Sequence, residues 1–255
     1  MRQTERASRV VERLRAAGCV AAEEEAHDLL GIAPDPPTLE AWLSRRERGE
    51  PLAWITGGLE FCGRWLHVAP GVYVPRIQSE ELARRASRLL PDHARAADLC
   101  TGAGAIAAHI LAELPATSVI GIDVDPKAVA CATRNGVRAL VADLELPLPS
   151  DRTFDVVTAV PPYVPTSDLR LLPADVQRYE PRAALDGGTD GLDVARRVVV
   201  AAGRLLRPGG WLLIEIGGKQ DATLVRELAP FGFGDVESWR DDDGELRGLA
   251  ARLML

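Results

Sequence analysis

The chain has 255 residues, 47% of them hydrophobic and 26% charged, with a formal net charge of -7. This length suits one large domain with a smaller one, and the composition is that of an ordinary globular protein. The acidic balance disfavours a nonspecific nucleic-acid binder, whose basic surface must displace counterions, so no direct nucleic-acid contact is expected. Cys19, Cys62, Cys100 and Cys131 show no C-x-x-C spacing, and His27, His67, His93 and His109 form no ligand pattern, so no metal site is expected. Thiols read as reduced imply a cytoplasmic protein. No apolar core follows the N-terminal arginines, and no apolar run approaches the roughly 20 residues that span a bilayer; neither a leader nor membrane attachment is expected.

Residues 4–17 carry Val10, Val11 and Leu14 at helical spacing, stopped by Gly18. Residues 21–30 read as a second helix ending at Gly31. Pro34-Asp35-Pro36-Pro37 reads as a turn, after which Thr38 caps a third helix through Arg48. The three helices define a small N-terminal bundle over 1–50, either a packing module or a substrate-docking one. From Pro51 the period becomes β-like over 52–56, 59–68 and 73–75, broken by Gly57-Gly58 and Pro70-Gly71; residues 51–76 read as a hairpin connector. Residues 77–255 form the main domain and open with a helix at 80–90. Strands are expected at 96–99, 119–123, 139–142, 154–160 and 211–216, with a closing pair at 236–240 and 249–253. Helices are expected at 106–113, 126–135, 192–206 and 222–229. This alternation predicts an α/β, Rossmann-like fold with a mostly parallel sheet covered on both faces. Residues 164–180 have no clean period and read as a loop over the site.

Asp98-Leu99-Cys100-Thr101-Gly102-Ala103-Gly104 follows a strand and opens a helix, where small residues let the backbone approach a ligand. Asp123 ends the next strand, where a carboxylate accepts hydrogen bonds from ribose hydroxyls. Asp143 ends the one after, within reach of an adenine amino group. A nicotinamide dinucleotide is the rival cofactor. It usually wants G-x-G-x-x-G, whereas Ala107 stands three residues after Gly104. A sulfonium cofactor has no pyrophosphate to place at the helix N-terminus. The spacing leans mildly toward S-adenosylmethionine.

The segment 154–163 runs a strand out into Val160-Pro161-Pro162-Tyr163. Prolines fix the backbone and remove donors, so carbonyl oxygens can face a cleft and accept substrate N–H groups. An aromatic there can pack on a flat substrate or a cationic methyl donor; it could equally be a core tyrosine at a strand end.

At this point the chain resembles the protein N5-glutamine methyltransferases of the HemK/PrmC type, which modify the glutamine of the Gly-Gly-Gln motif in peptide-chain release factors. The resemblance runs through Arg48-Gly49-Glu50-Pro51-Leu52, residues 57–63 and Val74-Pro75-Arg76. It continues through residues 98–106, 160–163, 180–185 and 187–192, and ends at Glu215-Ile216-Gly217. It implies a class I S-adenosylmethionine-dependent methyltransferase domain with a seven-stranded, mostly parallel sheet behind the helical domain. S-adenosylmethionine would be the donor, S-adenosylhomocysteine the product, and a release factor the protein substrate. It also implies roles. Cys100, Thr101, Gly102, Ala103 and Gly104 would line the methionine part of the cofactor, Asp123 the ribose, and Asp143 the adenine end with Leu144 near it. Asp98 and Val124 would also be cofactor-binding. Val160, Pro161, Pro162 and Tyr163 would form the catalytic wall around the target amide, Val160 also bordering the cofactor. Arg76 and Glu180 would support the site.

Four departures from the family stand out. Val160 replaces asparagine, whose side chain accepts a hydrogen bond from the target amide; valine has no acceptor, and losing one such contact costs about 2.7–4 kcal/mol by analogy with oxyanion donors. The Pro161 carbonyl must then do more of the work. Ile77-Gln78-Ser79-Glu80 replaces Pro-Glu-Thr-Glu. Cys100 replaces a glycine, which fits where φ stays negative. Leu144 stands where an aromatic is common. Two other readings stay open: a paralogue methylating a small metabolite or another peptide nitrogen, and a cofactor-binding protein that has lost catalysis. A DNA adenine methyltransferase, which also uses a Pro-Pro-aromatic motif, is disfavoured by the acidic composition and the lack of a basic recognition domain.

Overall fold

The computed structural model describes residues 3–144 and 152–254. The N-terminal part consists of α1 (Gln3–Ala16), α2 (Ala22–Ile32), α3 (Pro36–Glu47) and the short α4 (Leu52–Thr56). Val10, Leu14, Ala22, Ala26, Leu29, Leu39 and Leu43 face one another in a separate small core, with Leu52 packed against it. Helix α2 does not stop at Gly31 but runs through it, because buried Leu29 anchors the last turn and accepts the Ala33 N–H. Helix α3 starts two residues before the expected position. Asp35, not Thr38, is its cap: the Asp35 carboxylate accepts the Thr38 N–H at 2.7 Å, and Pro36 takes the first helical position.

The connector departs most from expectation. Residues 52–56 are helix, not strand. Ala53, Trp54 and Ile55 are all buried, which a two-residue alternation cannot achieve, and Gly57 ends the turn in the left-handed region at φ 85°. The hairpin that follows is β1 (Gly58–Phe61) and β2 (Arg64–His67), and it turns at Cys62-Gly63. Residues 73–75 join no strand among those described; they run as extended chain toward the site.

The main sheet contains β3 (Arg95–Leu99), β4 (Ser118–Asp123), β5 (Arg138–Val141), β6 (Phe154–Ala159), β7 (Leu206–Glu215), β8 (Phe233–Arg240) and β9 (Leu246–Leu253). The spatial order is β5-β4-β3-β6-β7-β9-β8, parallel from β5 to β7 and antiparallel at β9 and β8. Helices α5 (Glu80–Leu89), α6 (Ala105–Glu113) and α7 (Pro126–Arg134) cover one face, burying Leu82, Ile106, Ile110 and Cys131. On the other face α9 (Asp193–Leu205) and α10 (Asp221–Leu228) bury Val198, Val199, Leu205 and Leu224. The chain order reverses between β3 and β6, so their carboxyl ends open a crevice, the usual ligand position in such sheets.

Most expected elements fall within a residue or two of their bounds. β7 begins five residues early because Leu206 already pairs with Phe154 before a bulge. Residues 164–180 are not a plain loop: they carry α8 (Ala174–Tyr179), which leans on the N-terminal helices. The Tyr179 hydroxyl donates to the Arg48 carbonyl at 3.0 Å. The Arg46 guanidinium reaches Asp175 at 3.3 Å and Glu25 at 2.6 Å, joining α2, α3 and α8 through one nearly buried cation.

Candidate active site

The β3–α6 turn is fixed by a buried carboxylate. Asp98, at the end of β3, accepts the Thr101 hydroxyl at 2.6 Å and the Thr158 hydroxyl of β6 at 2.7 Å. Its burial pushes its pKa up to about 6, the two hydroxyls offsetting only part of the desolvation. Across the crevice Asp123 closes β4. It accepts the Gly102 N–H and the Asp125 N–H, each at 2.9 Å, and burial again raises its pKa. Thr101 donates its own N–H to the Ile122 carbonyl. Its side chain lies over Gly121, where an added Cβ would sit 2.9 Å from the hydroxyl oxygen. Two carboxylates therefore face one crevice, a setting that suits a cationic, hydroxyl-bearing ligand.

Cys100 takes φ 55°, in the left-handed region, so it does not meet the condition of negative φ under which a cysteine fits without strain. A Cβ on Gly104 would press against Ala132 at 3.0 Å, so this glycine lets α6 pack on α7.

Three cavities meet at the crevice. One of about 230 Å³ is lined by Cys100, Gly102, Asp123, Val124, Asp143, Leu144 and Pro162. A narrow annex of about 40 Å³ reaches Asp98, Thr101 and Ala103. A wide cleft of about 750 Å³ runs between the N-terminal helices and the Pro-Pro-Tyr segment, bordered by Arg46, Arg76, Pro161, Tyr163 and Asp175. Val160 and Tyr73 border all three. Asp143 is ion-paired with Arg197 at the rim of the first cavity, so its carboxylate is shared with that guanidinium.

The Pro161–Tyr163 backbone is clamped from behind. Gln220 donates to the Tyr163 carbonyl at 2.8 Å, and Val164 exchanges hydrogen bonds with Leu185 and Gly187. Gly187 and Gly191 press so close that an added Cβ would lie 2.7 Å from the Pro162 carbonyl and 2.3 Å from the Tyr163 carbonyl respectively. The Tyr163 hydroxyl is turned to Glu215, whose other contact is the Ser79 hydroxyl at 2.6 Å. Arg76 donates to Glu180 at 2.5 Å, and the second Glu180 oxygen accepts the Val74 N–H at 3.2 Å. Glu180 thus lies beneath Arg76 rather than on a cavity wall. Sequence reading missed Tyr73, Ser79, Thr158, Arg197 and Glu215 as site residues. Tyr73 was hidden inside an apparent strand, and Thr158 inside a real one.

Residues 96–179 match a family model described as a methyltransferase domain. The release factor glutamine methyltransferase of Geobacter sulfurreducens is 40% identical over 216 residues, covering 83% of this chain and 76% of that protein. Its namesake from Pseudomonas aeruginosa is 40% identical over 213 residues, covering 81% and 77%. Among solved structures, the ribosomal protein L11 methylase from Lactobacillus delbrueckii subsp. bulgaricus superposes with a TM-score of 0.54 at 18% identity, over 74% of this chain and 84% of that one, a likeness of fold.

Proposed function

Because the chain belongs to the release factor glutamine methyltransferase family, we propose that it moves a methyl group from S-adenosylmethionine to the side-chain amide nitrogen of a glutamine in a peptide-chain release factor. The observation that carries this reading is the meeting of a carboxylate-lined pocket and a protein-sized cleft at Val160 and the Pro161-Pro162-Tyr163 wall.

The donor supplies a methyl group on a sulfonium sulfur. Asp98 and Asp123 fit such a group: both are desolvated carboxylates facing the crevice, and a cation is what their raised pKa values call for. Cys100, Thr101, Gly102 and Ala103 would border the methionine part, Asp123 and Val124 the ribose, and Asp143 and Leu144 the adenine end. An amide nitrogen is a weak nucleophile, so the protein must orient it and accept its protons. The Pro161 carbonyl would accept one amide N–H, while Pro162 and Tyr163 hold the wall in place. Bound there, S-adenosylmethionine would supply the methyl group for a new N–C bond, giving S-adenosylhomocysteine and one amide proton to solvent. Arg76 and Glu180 would brace the wall. Residues 1–50 would form the domain that seats the protein acceptor, 51–76 the connector and 77–255 the transfer domain. Among the described residues no helix is long and apolar enough to cross a membrane, and a release factor as acceptor would place the enzyme in the cytoplasm.

Val160 favours a second reading, a paralogue acting on another peptide nitrogen or a small metabolite, because its side chain offers nothing to an amide. Transfer of labelled methyl to purified release factor, beside a factor with the Gly-Gly-Gln glutamine replaced, separates the two. Glutamine-dependent labelling is expected. An unlabelled factor, with cofactor binding intact by calorimetry, would move the acceptor elsewhere.

A further inference from the structure

A methyl group leaving the cofactor pocket for the cleft must pass the residues that border both, and among the described residues these are Tyr73, Val160 and Ala184. Val160 and Ala184 present hydrocarbon there. Pro161 and Pro162 have no N–H. The Tyr163 hydroxyl is turned toward Glu215, which also takes the Ser79 hydroxyl at 2.6 Å. The side-chain polar group at the passage is therefore the Tyr73 phenol.

This phenol is held from behind. The Arg76 guanidinium carbon lies 4.9 Å from the Tyr73 ring centre, stacked over the ring as a cation on a π face. Arg76 is in turn anchored on Glu180 at 2.5 Å, and Glu180 takes the Val74 N–H next to Tyr73 in the chain. A buried carboxylate thus fixes an arginine that fixes a tyrosine. Burial pushes the phenol up to about 12, so it stays protonated at neutral pH and can both donate and accept.

We propose that Tyr73 binds the acceptor: its hydroxyl hydrogen-bonds the carboxamide of the target glutamine and holds the amide nitrogen toward the cofactor pocket, supplying the side-chain contact that Val160 lacks. This rests on the glutamine-transfer reading above.

The test uses the full-length Tyr73→Phe protein with S-adenosylmethionine and release factor. One lost hydrogen bond should lower kcat/KM about tenfold, with S-adenosylmethionine affinity within twofold of wild type by calorimetry. Adding Val160→Asn should recover much of that loss in the Tyr73→Phe background. An unchanged kcat/KM would overturn the proposal. So would an equal loss of cofactor affinity, which would make Tyr73 a wall of the cofactor pocket. A binding arm keeps this separate from the reading it rests on. A Gly-Gly-Gln peptide is titrated into protein loaded with S-adenosylhomocysteine. Weaker binding to Tyr73→Phe, with no such difference for a peptide carrying leucine in place of glutamine, supports Tyr73 even when wild type leaves release factor unlabelled. Equal binding to both proteins, or none to wild type, sinks it.

Discussion

The donor half and the acceptor half of the crevice are built by opposite means. The donor half is centred on one strand–turn–helix unit and the end of the neighbouring strand, with residues 142–144, 181–184 and 194–197 closing its far side. Its groups are locked by short-range bonds, such as Gly102 to Asp123 and Thr101 to Asp98. The acceptor half draws its walls from residues 17–25, 46–49, 73–76, 160–164 and 171–176, which meet only through tertiary packing. A ligand that never varies can be met by a motif. A protein loop needs a broad cleft, and that cleft is held open by contacts such as Arg46 with Glu25 and Asp175.

The largest expected effect falls on the acceptor half. Arg46→Ala leaves Glu25 and Asp175 facing each other without their shared cation. Because both carboxylates keep some solvent, the loss should be about 2 kcal/mol, below the range for a fully buried pair. Thermal unfolding should occur at lower temperature and KM for release factor should rise, while calorimetry should find the affinity for S-adenosylmethionine unchanged. A parallel loss of cofactor affinity would break the separation of the two halves.

Next comes Asp98. Its folded pKa of about 6 lies above its ordinary value of 3.8, so the folded protein binds this proton more tightly than the unfolded chain. The stability from this group is fully present below pH 3.8 and is lost as pH rises through about 6. If Asp98 holds the sulfonium donor as proposed, cofactor affinity should run the other way, weakening up to about tenfold per pH unit below pH 6 as this carboxylate is neutralised. Asp98→Asn should flatten that pH profile at the weaker level. A profile that survives the substitution would assign the titration to another group.

The smallest effect concerns backbone strain. Cys100→Gly removes a side chain from φ 55°, and should stabilise by about 0.5–1 kcal/mol after the entropy cost of glycine. Cofactor affinity should stay the same, since the turn keeps its shape. A loss of affinity would show that the thiol itself touches the ligand.

The βα repeat was legible because buried parallel strands read as apolar runs and their helices carry a different period. Asp98, Asp123 and the Pro-Pro-Tyr segment were legible because each ends a strand at the carboxyl edge of the sheet. What escaped was set by tertiary contact. Residues 52–56 coil into a helix because the Trp54 indole N–H reaches the Val72 carbonyl at 3.0 Å, which no local pattern announces. Residues 174–179 form a helix braced by partners about 130 positions away. Tyr73 becomes a site residue only when a chain without regular structure is laid across the end of β6.

The Ser79–Glu215–Tyr163 contact also bears on how the enzyme comes into being. Ser79 and Glu215 are separated by 136 positions, so a long loop must close before the hydroxyl of Tyr163 finds its partner, and such distant contacts form late in folding. During synthesis the whole donor turn emerges well before β7. A nascent chain ending short of Glu215 therefore has its cofactor loop while the Tyr163 hydroxyl still lacks its partner carboxylate. The wall is complete only once β7 has docked and Gln220, just beyond it, has reached the Tyr163 carbonyl.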